Sequence, residues 1–153
     1  MENLHPITVH FPIALLFSAF AVETLALLLK KPAWHRFSLA NLILGALGAG
    51  VAVLTGRQAE GMAKHSFEIH EVMKRHETIG VLVLSSTLLV MGWRLVSQDR
   101  LKGRSRWLAC TLLGITCLLM AFGAHLGGRL VYEYGVGGVY GRQAAEITVE
   151  GGK

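Results

Sequence analysis

Apolar positions along this chain fall into four long blocks rather than into the alternating stripes of a soluble protein. Ile7 to Leu29, Phe37 to Thr55, Ile79 to Leu95 and Trp107 to Leu126 are almost continuously apolar. Each is near the ~20 residues that a helix needs to cross the hydrocarbon core of a bilayer. The pattern predicts one domain of four membrane spans (7–29, 37–55, 79–95 and 107–126), with a short tail over 131–153. Lys30 to Arg36 and Ser97 to Arg106 are short connections, whereas Gly56 to Thr78 reads as a long one. Short links force antiparallel neighbours. The expected fold is therefore all-α, an integral membrane four-helix up-down bundle.

Composition agrees. Of the 153 residues, 52% are hydrophobic and 16% charged, against about 25% charged in a soluble domain. The charges are also sorted by side. Lys30, Lys31, Arg36, Arg94, Arg100, Lys102, Arg104 and Arg106 share one end of the predicted bundle with a single acid, Asp99, while acids and bases nearly cancel at the other. Basic residues that flank spans stay on the cytoplasmic side, which predicts both termini on the periplasmic side of a prokaryotic inner (cytoplasmic) membrane. The net charge of +5 is thus a topology signal, and the expected partner is the lipid bilayer rather than nucleic acid. Trp34, Trp93 and Trp107 collect at the basic end and Tyr132, Tyr134 and Tyr140 at the other, as interfacial aromatics do. The first span has Glu2 and no basic residue before it, and its Lys30-Lys31 pair follows it. That is not the layout of a cleaved signal peptide, so the span is expected to remain.

Small residues point to close helix contacts. Gly45, Gly48 and Gly50 on the second span, and Gly114, Gly123, Gly127 and Gly128 on the fourth, would let backbones or a flat cofactor approach. Gly123 and Gly127 have G-x-x-x-G spacing, read here as packing within the chain. Cys110 and Cys117 match no C-x-x-C-H haem-attachment pattern and read as small core residues. The glycines from Gly135 to Gly141 follow no strand, so a nucleotide-binding loop is not expected.

Histidine carries the chemistry. His5, His10, His65, His70, His76 and His125 all fall on the outward side, and imidazoles at membrane depth are rare and usually functional. His10, His76 and His125 lie about 6 to 8 Å inside the outward ends of three different spans, counting 1.5 Å per residue. Each heads a row of mostly small residues: His10, Ala14, Phe17, Ala21; His76, Gly80, Val83, Thr87; His125, Ala121, Cys117, Gly114. Residues three and four apart share a face, so these three imidazoles are expected to point into the bundle. His65 and His35 read as peripheral. No H-x-x-x-H pair exists, so any ligation must bridge helices.

Haem b fits such a set. It is held by side chains alone, with two facing histidines as axial ligands. His10, His76 and His125 are the expected source of the pair, with His5 and His70 as the makings of a second site or haem. Arg57 and Arg129 would serve the propionates. The function this predicts is a membrane b-type cytochrome near the periplasmic face, an electron-transfer subunit or partner of a quinol-linked or c-type cytochrome complex rather than a stand-alone enzyme. Two alternatives use the same residues: a Zn- or Cu-binding membrane protein, or a cofactor-free assembly or scaffold subunit. Glu23, near the middle of the first span, must be protonated or paired. A proton relay through it would need a second intramembrane acid, which the sequence lacks.

The stretch Leu4-His5-Pro6-Ile7-Thr8-Val9-His10-Phe11-Pro12-Ile13-Ala14-Leu15-Leu16 resembles the prokaryotic four-helix membrane family designated domain of unknown function 2231. Thr55-Gly56 and the run from Gly127 to Gly137 resemble it too. The resemblance implies a four-span inner-membrane protein in which His5 and His10 are motif histidines.

Overall fold

A computed structural model describes residues 5–62 and 67–136, and among these every regular element is a helix: α1 (His5–Thr8), α2 (His10–Leu28), α3 (Trp34–Met62), α4 (Phe67–Val96) and α5 (Gly103–Tyr132). Four apolar helical stretches are long enough to span a bilayer, His5–Leu28, Trp34–Glu60, Phe67–Val96 and Gly103–Tyr132, of 24, 27, 30 and 30 residues. Tyr140 and the rest of the tail from 137, like His65, lie outside the described residues.

Proline sets the break between α1 and α2. Pro12 has no N–H to offer the Thr8 carbonyl four residues back, and the helix is interrupted at Val9 between them. Val9 N–H still donates to the His5 carbonyl (3.1 Å) and Ile13 N–H to the Val9 carbonyl (3.4 Å), so the first span runs on through the break. The predicted long connection from Gly56 to Thr78 is largely helical instead, because α3 runs to Met62 and α4 starts at Phe67. Apolarity marks only the part of a helix that lies in lipid. Beyond it, Glu and Lys keep good helix propensity, and Glu71 and Arg75 pair across one turn at 3.4 Å.

The bundle packs as two close pairs, α2 with α3 and α4 with α5, joined along α3–α4 and α2–α5. Leu16 and Ala19 of α2, Leu42 of α3, Val83 and Val90 of α4, and Leu113, Cys117 and Met120 of α5 fill the middle. Glycine admits the bulkier side chains. A Cβ at Gly45 would stand 2.6 Å from Leu16 Cδ2, and one at Gly114 would stand 2.9 Å from the Phe20 ring. Both cysteines are buried and unbridged. Large apolar side chains such as Phe11, Leu47, Leu89 and Leu118 face outward, as expected where lipid replaces water.

At the basic end the four spans meet on charge. Glu23 (2% exposed) of α2 lies between Arg94 (1%) of α4 and Arg106 (5%) of α5, at 3.2 Å from each guanidinium. Asp99, in the α4–α5 link, accepts from Arg94 Nε (2.9 Å) and Nη2 (3.3 Å) and from Arg106 Nη1 (3.0 Å). Helix α3 joins through Ser38 Oγ and the His35 carbonyl, which accept from Arg94 at 2.9 and 2.8 Å. His35 Nδ1 lies 3.0 Å from Glu23 Oε1 but off the hydrogen-bond direction. Gln98 and Asp99 both hold left-handed backbone (φ 50° and 52°), which non-glycine residues rarely adopt. The two arginines gripping the Asp99 carboxylate keep the link in that shape.

Arg94 and Arg106, expected as flanking topology signals, are therefore internal. Asp99 lies in the link, outside the spans, and that link folds it back against the same arginines as Glu23. Breaking one partner out of a buried set costs more than an exposed pair ever contributes, about 3–5 kcal/mol. Glu23→Ala, which strands two guanidiniums on one carboxylate, is expected to lower the thermal midpoint of the detergent-solubilised protein sharply, whereas exposed Arg104→Ala leaves it unchanged; equal midpoints would remove the network from the fold's foundations.

Candidate functional site

At the opposite end two histidines meet across the seam between the helix pairs. The rings of His5, on α1, and His76, on α4, have centroids 6.0 Å apart with planes at 80°. His5 reaches this place because α1 packs on the end of α3. There the Thr55 hydroxyl gives its proton to the carbonyls of Val51 (3.0 Å) and Ala52 (3.1 Å). Its oxygen is left to accept from His5 Nδ1 at 3.2 Å. Thr8 ties α1 to the same spot, 3.1 Å from Thr55 Oγ1.

His76 is held from the other pair. Its Nδ1 donates to the Gly123 carbonyl of α5 at 2.8 Å. A carbonyl only accepts, so the proton sits on Nδ1 and the lone pair on Nε2. Metal-bound imidazoles are usually oriented in this way, by an Nδ1–H donated to a carbonyl or another fixed acceptor.

Glycine makes the seat on both sides. A Cβ at Gly56 would stand 3.1 Å from His5 Cε1, and a Cβ at Gly127 would stand 3.1 Å from His76 Cε1. The Gly123/Gly127 spacing is thus packing within the chain, as expected from sequence: Gly123 admits Ile79 at 3.0 Å, and Gly127 admits the imidazole.

The other histidines are placed differently from expectation. His76 is half-buried and its row, through Val83 and Thr87, faces inward. His10 and His125 are exposed, so the inward trio does not form. On α2 the buried stripe is Pro12, Leu16, Ala19, Glu23 and Ala26, and the row of His10, Ala14, Phe17 and Ala21 turns toward lipid or water. The cause is physical: in a bilayer small apolar residues are at ease on either face, whereas Glu23 has only one place to go. His10 Nδ1 is satisfied within the same span, donating to the Pro6 carbonyl of α1 at 2.7 Å. His70 is exposed on α4, about two turns before His76. Arg57 pairs with Glu77 of α4 (3.0 Å) and Arg129 with Glu133 (2.8 Å), both at the rim beside the histidine pair. Among the described residues no three His, Cys, Asp or Glu side chains come together to hold a metal ion.

Sequence reasoning ranked His5 below His10 because His10 shares one depth with His76 and His125 on three different spans. The signal that could have raised it lies in its seat, Thr55-Gly56 at the same depth on the second span. The model of one family, described as predicted membrane protein (DUF2231), matches residues 1–139. No curated protein and no solved structure matches the chain. The three stretches that resemble this family contribute His5, Thr55 with Gly56, and Gly127, and all converge around His76.

Glycine at 127 is required by the ring it faces. Gly127→Val is expected to displace the His76 imidazole and lower stability by about 1–3 kcal/mol, the usual cost of overpacking. Gly128→Val, where nothing lies within 4 Å of the added Cβ, is expected to be neutral; thermal midpoints of the two variants, side by side, decide it.

Proposed function

The chain belongs to the DUF2231 family of predicted membrane proteins, and from that premise we propose that it is a membrane b-type cytochrome whose haem His5 and His76 would hold. One observation carries the reading: two imidazoles from different helices meet edge-on at 80°, His76 oriented by the Gly123 carbonyl and His5 held beside Thr55. Two imidazoles that shared one metal through their nitrogens, with bonds of about 2 Å and about 1.1 Å from nitrogen to ring centre, would have centroids up to about 6 Å apart. The His5–His76 separation is 6.0 Å. The pair therefore suits a two-ligand cofactor. Zn or Cu, which usually takes three or more protein ligands, finds no such group among the described residues.

Haem iron in this setting supplies a one-electron Fe(III)/Fe(II) couple. The chain's own part is to fix the ligand tautomer, keep both rings on glycine, and carry Arg57 and Arg129 at the rim as cations for propionates. Each arginine would exchange an exposed carboxylate partner for a propionate, a small change in energy because exposed pairs contribute only about 0–1 kcal/mol. The redox partner is a quinol-linked or c-type cytochrome subunit, and the membrane is the cytoplasmic one with the histidine end outward.

The test is a reduced-minus-oxidised visible spectrum of the full chain purified in detergent after expression with haem supply. Sharp α and β bands are expected. His5→Ala and His76→Ala should each abolish them, while His10→Ala and His125→Ala, at exposed positions, should retain them. Bands lost only with His10 or His125 would move the ligands elsewhere. A colourless protein with stoichiometric Zn or Cu would replace haem with a metal, and one free of both would leave a scaffold subunit.

A further inference from the structure

The basic end holds a second feature that the histidine pair does not use, a cleft of about 1090 Å³ between the α2–α3 connection and the start of α5. Asp99 and Arg106 line it, and both belong to the neutralised network in which Glu23 and Asp99 balance Arg94 and Arg106. Its rim carries Arg36, Arg100 and Lys102, all exposed, and among the described residues none of the three enters an ion pair. Three positive charges thus surround one opening without compensation. The start of α5 adds to them, since Lys102 gives it no side-chain cap and free N–H groups at a helix N-terminus favour an anion.

The walls are apolar, with Leu27, Leu39 and Trp107 among them. We infer that this cleft binds the phosphate headgroup of an anionic phospholipid, with Arg36, Arg100 and Lys102 around the phosphate and the leucine and tryptophan walls along the glycerol and upper acyl chain. The combination decides the occupant. A free phosphate would satisfy the cations and leave the apolar wall wet, and a zwitterionic headgroup would bring its own cation into a cationic rim. Basic pockets between membrane helices recognise anionic headgroups on these grounds.

The experiment uses the full chain in neutral detergent, titrated with phosphatidylglycerol, phosphatidylcholine or inorganic phosphate, and reads thermal midpoint and lipid adducts by native mass spectrometry. Phosphatidylglycerol is expected to raise the midpoint and remain as a one-to-one adduct, and phosphatidylcholine to do neither. Arg36→Gln, Arg100→Gln and Lys102→Gln should each weaken phosphatidylglycerol binding about fivefold, without changing the lipid-free midpoint. Arg104→Gln, which removes the same charge from the same end but not from the cleft lining, should leave binding intact. The proposal fails if the two lipids bind alike, if Arg104→Gln costs as much as the rim substitutions, or if inorganic phosphate at equal concentration reproduces the whole shift.

Discussion

Glu23 can exist where it does only because Arg94 and Arg106 meet it there. A carboxylate about five residues inside the end of α2 has no water to turn to, and a lone charge in lipid is costly by any scale. Pairing it draws α4 and α5 onto α2, and the spare donors of Arg94 draw in α3 through Ser38 and the His35 carbonyl. Four helices whose apolar surfaces are equally content against lipid thus acquire one rotational setting. Van der Waals packing then fills in behind it, through Leu16, Leu42, Val90 and Leu113.

The two ends of the bundle are built on different principles. At the basic end, full charges are gripped from several directions and hold even an unfavourable left-handed link in place. At the other end the histidine pair is held by hydroxyl, backbone carbonyl and glycine instead. His5 and His76 belong to different sides of the seam, one anchored to α3 and the other to α5, so their meeting depends on how the two helix pairs are set relative to one another. The charge network, at the far end of the same helices, supplies that setting.

Span number and helical class were legible in the sequence because the bilayer enforces them: ~20 apolar residues and no unpaired backbone. Which face of each span points inward was far less legible. The soluble rule that apolar means buried has no force in lipid, so rows of small residues misplaced His10 and His125 while His76 came out inward. A charged residue was the better guide. Glu23 demanded buried cations, and Arg94 and Arg106 were at the matching depth, but a count of flanking charges assigns them to the surface before asking whether anything inside needs them. The helical continuations over 56–62 and 67–78 were missed for a related reason, since hydropathy ends at the membrane surface and helix propensity does not.

The same asymmetry constrains any electron-transfer role. Along α4, His76 and Arg94 are eighteen residues apart, about 27 Å at 1.5 Å per residue, and past Glu77, beside His76, that span of the helix carries no other titratable side chain. The remaining described imidazole at the far end, His35, is turned to Glu23 at 3.0 Å inside a network whose charges already balance. A cofactor on the His5–His76 pair would therefore have no second redox centre built from this chain's histidines to hand an electron to across the bilayer. Donor and acceptor must approach the same face, the one where Arg57 with Glu77 and Arg129 with Glu133 form an exposed, charge-balanced rim. A balanced rim gives little long-range steering, so the encounter would be set by a stable neighbour in the membrane plane more than by attraction of a diffusing, highly charged partner.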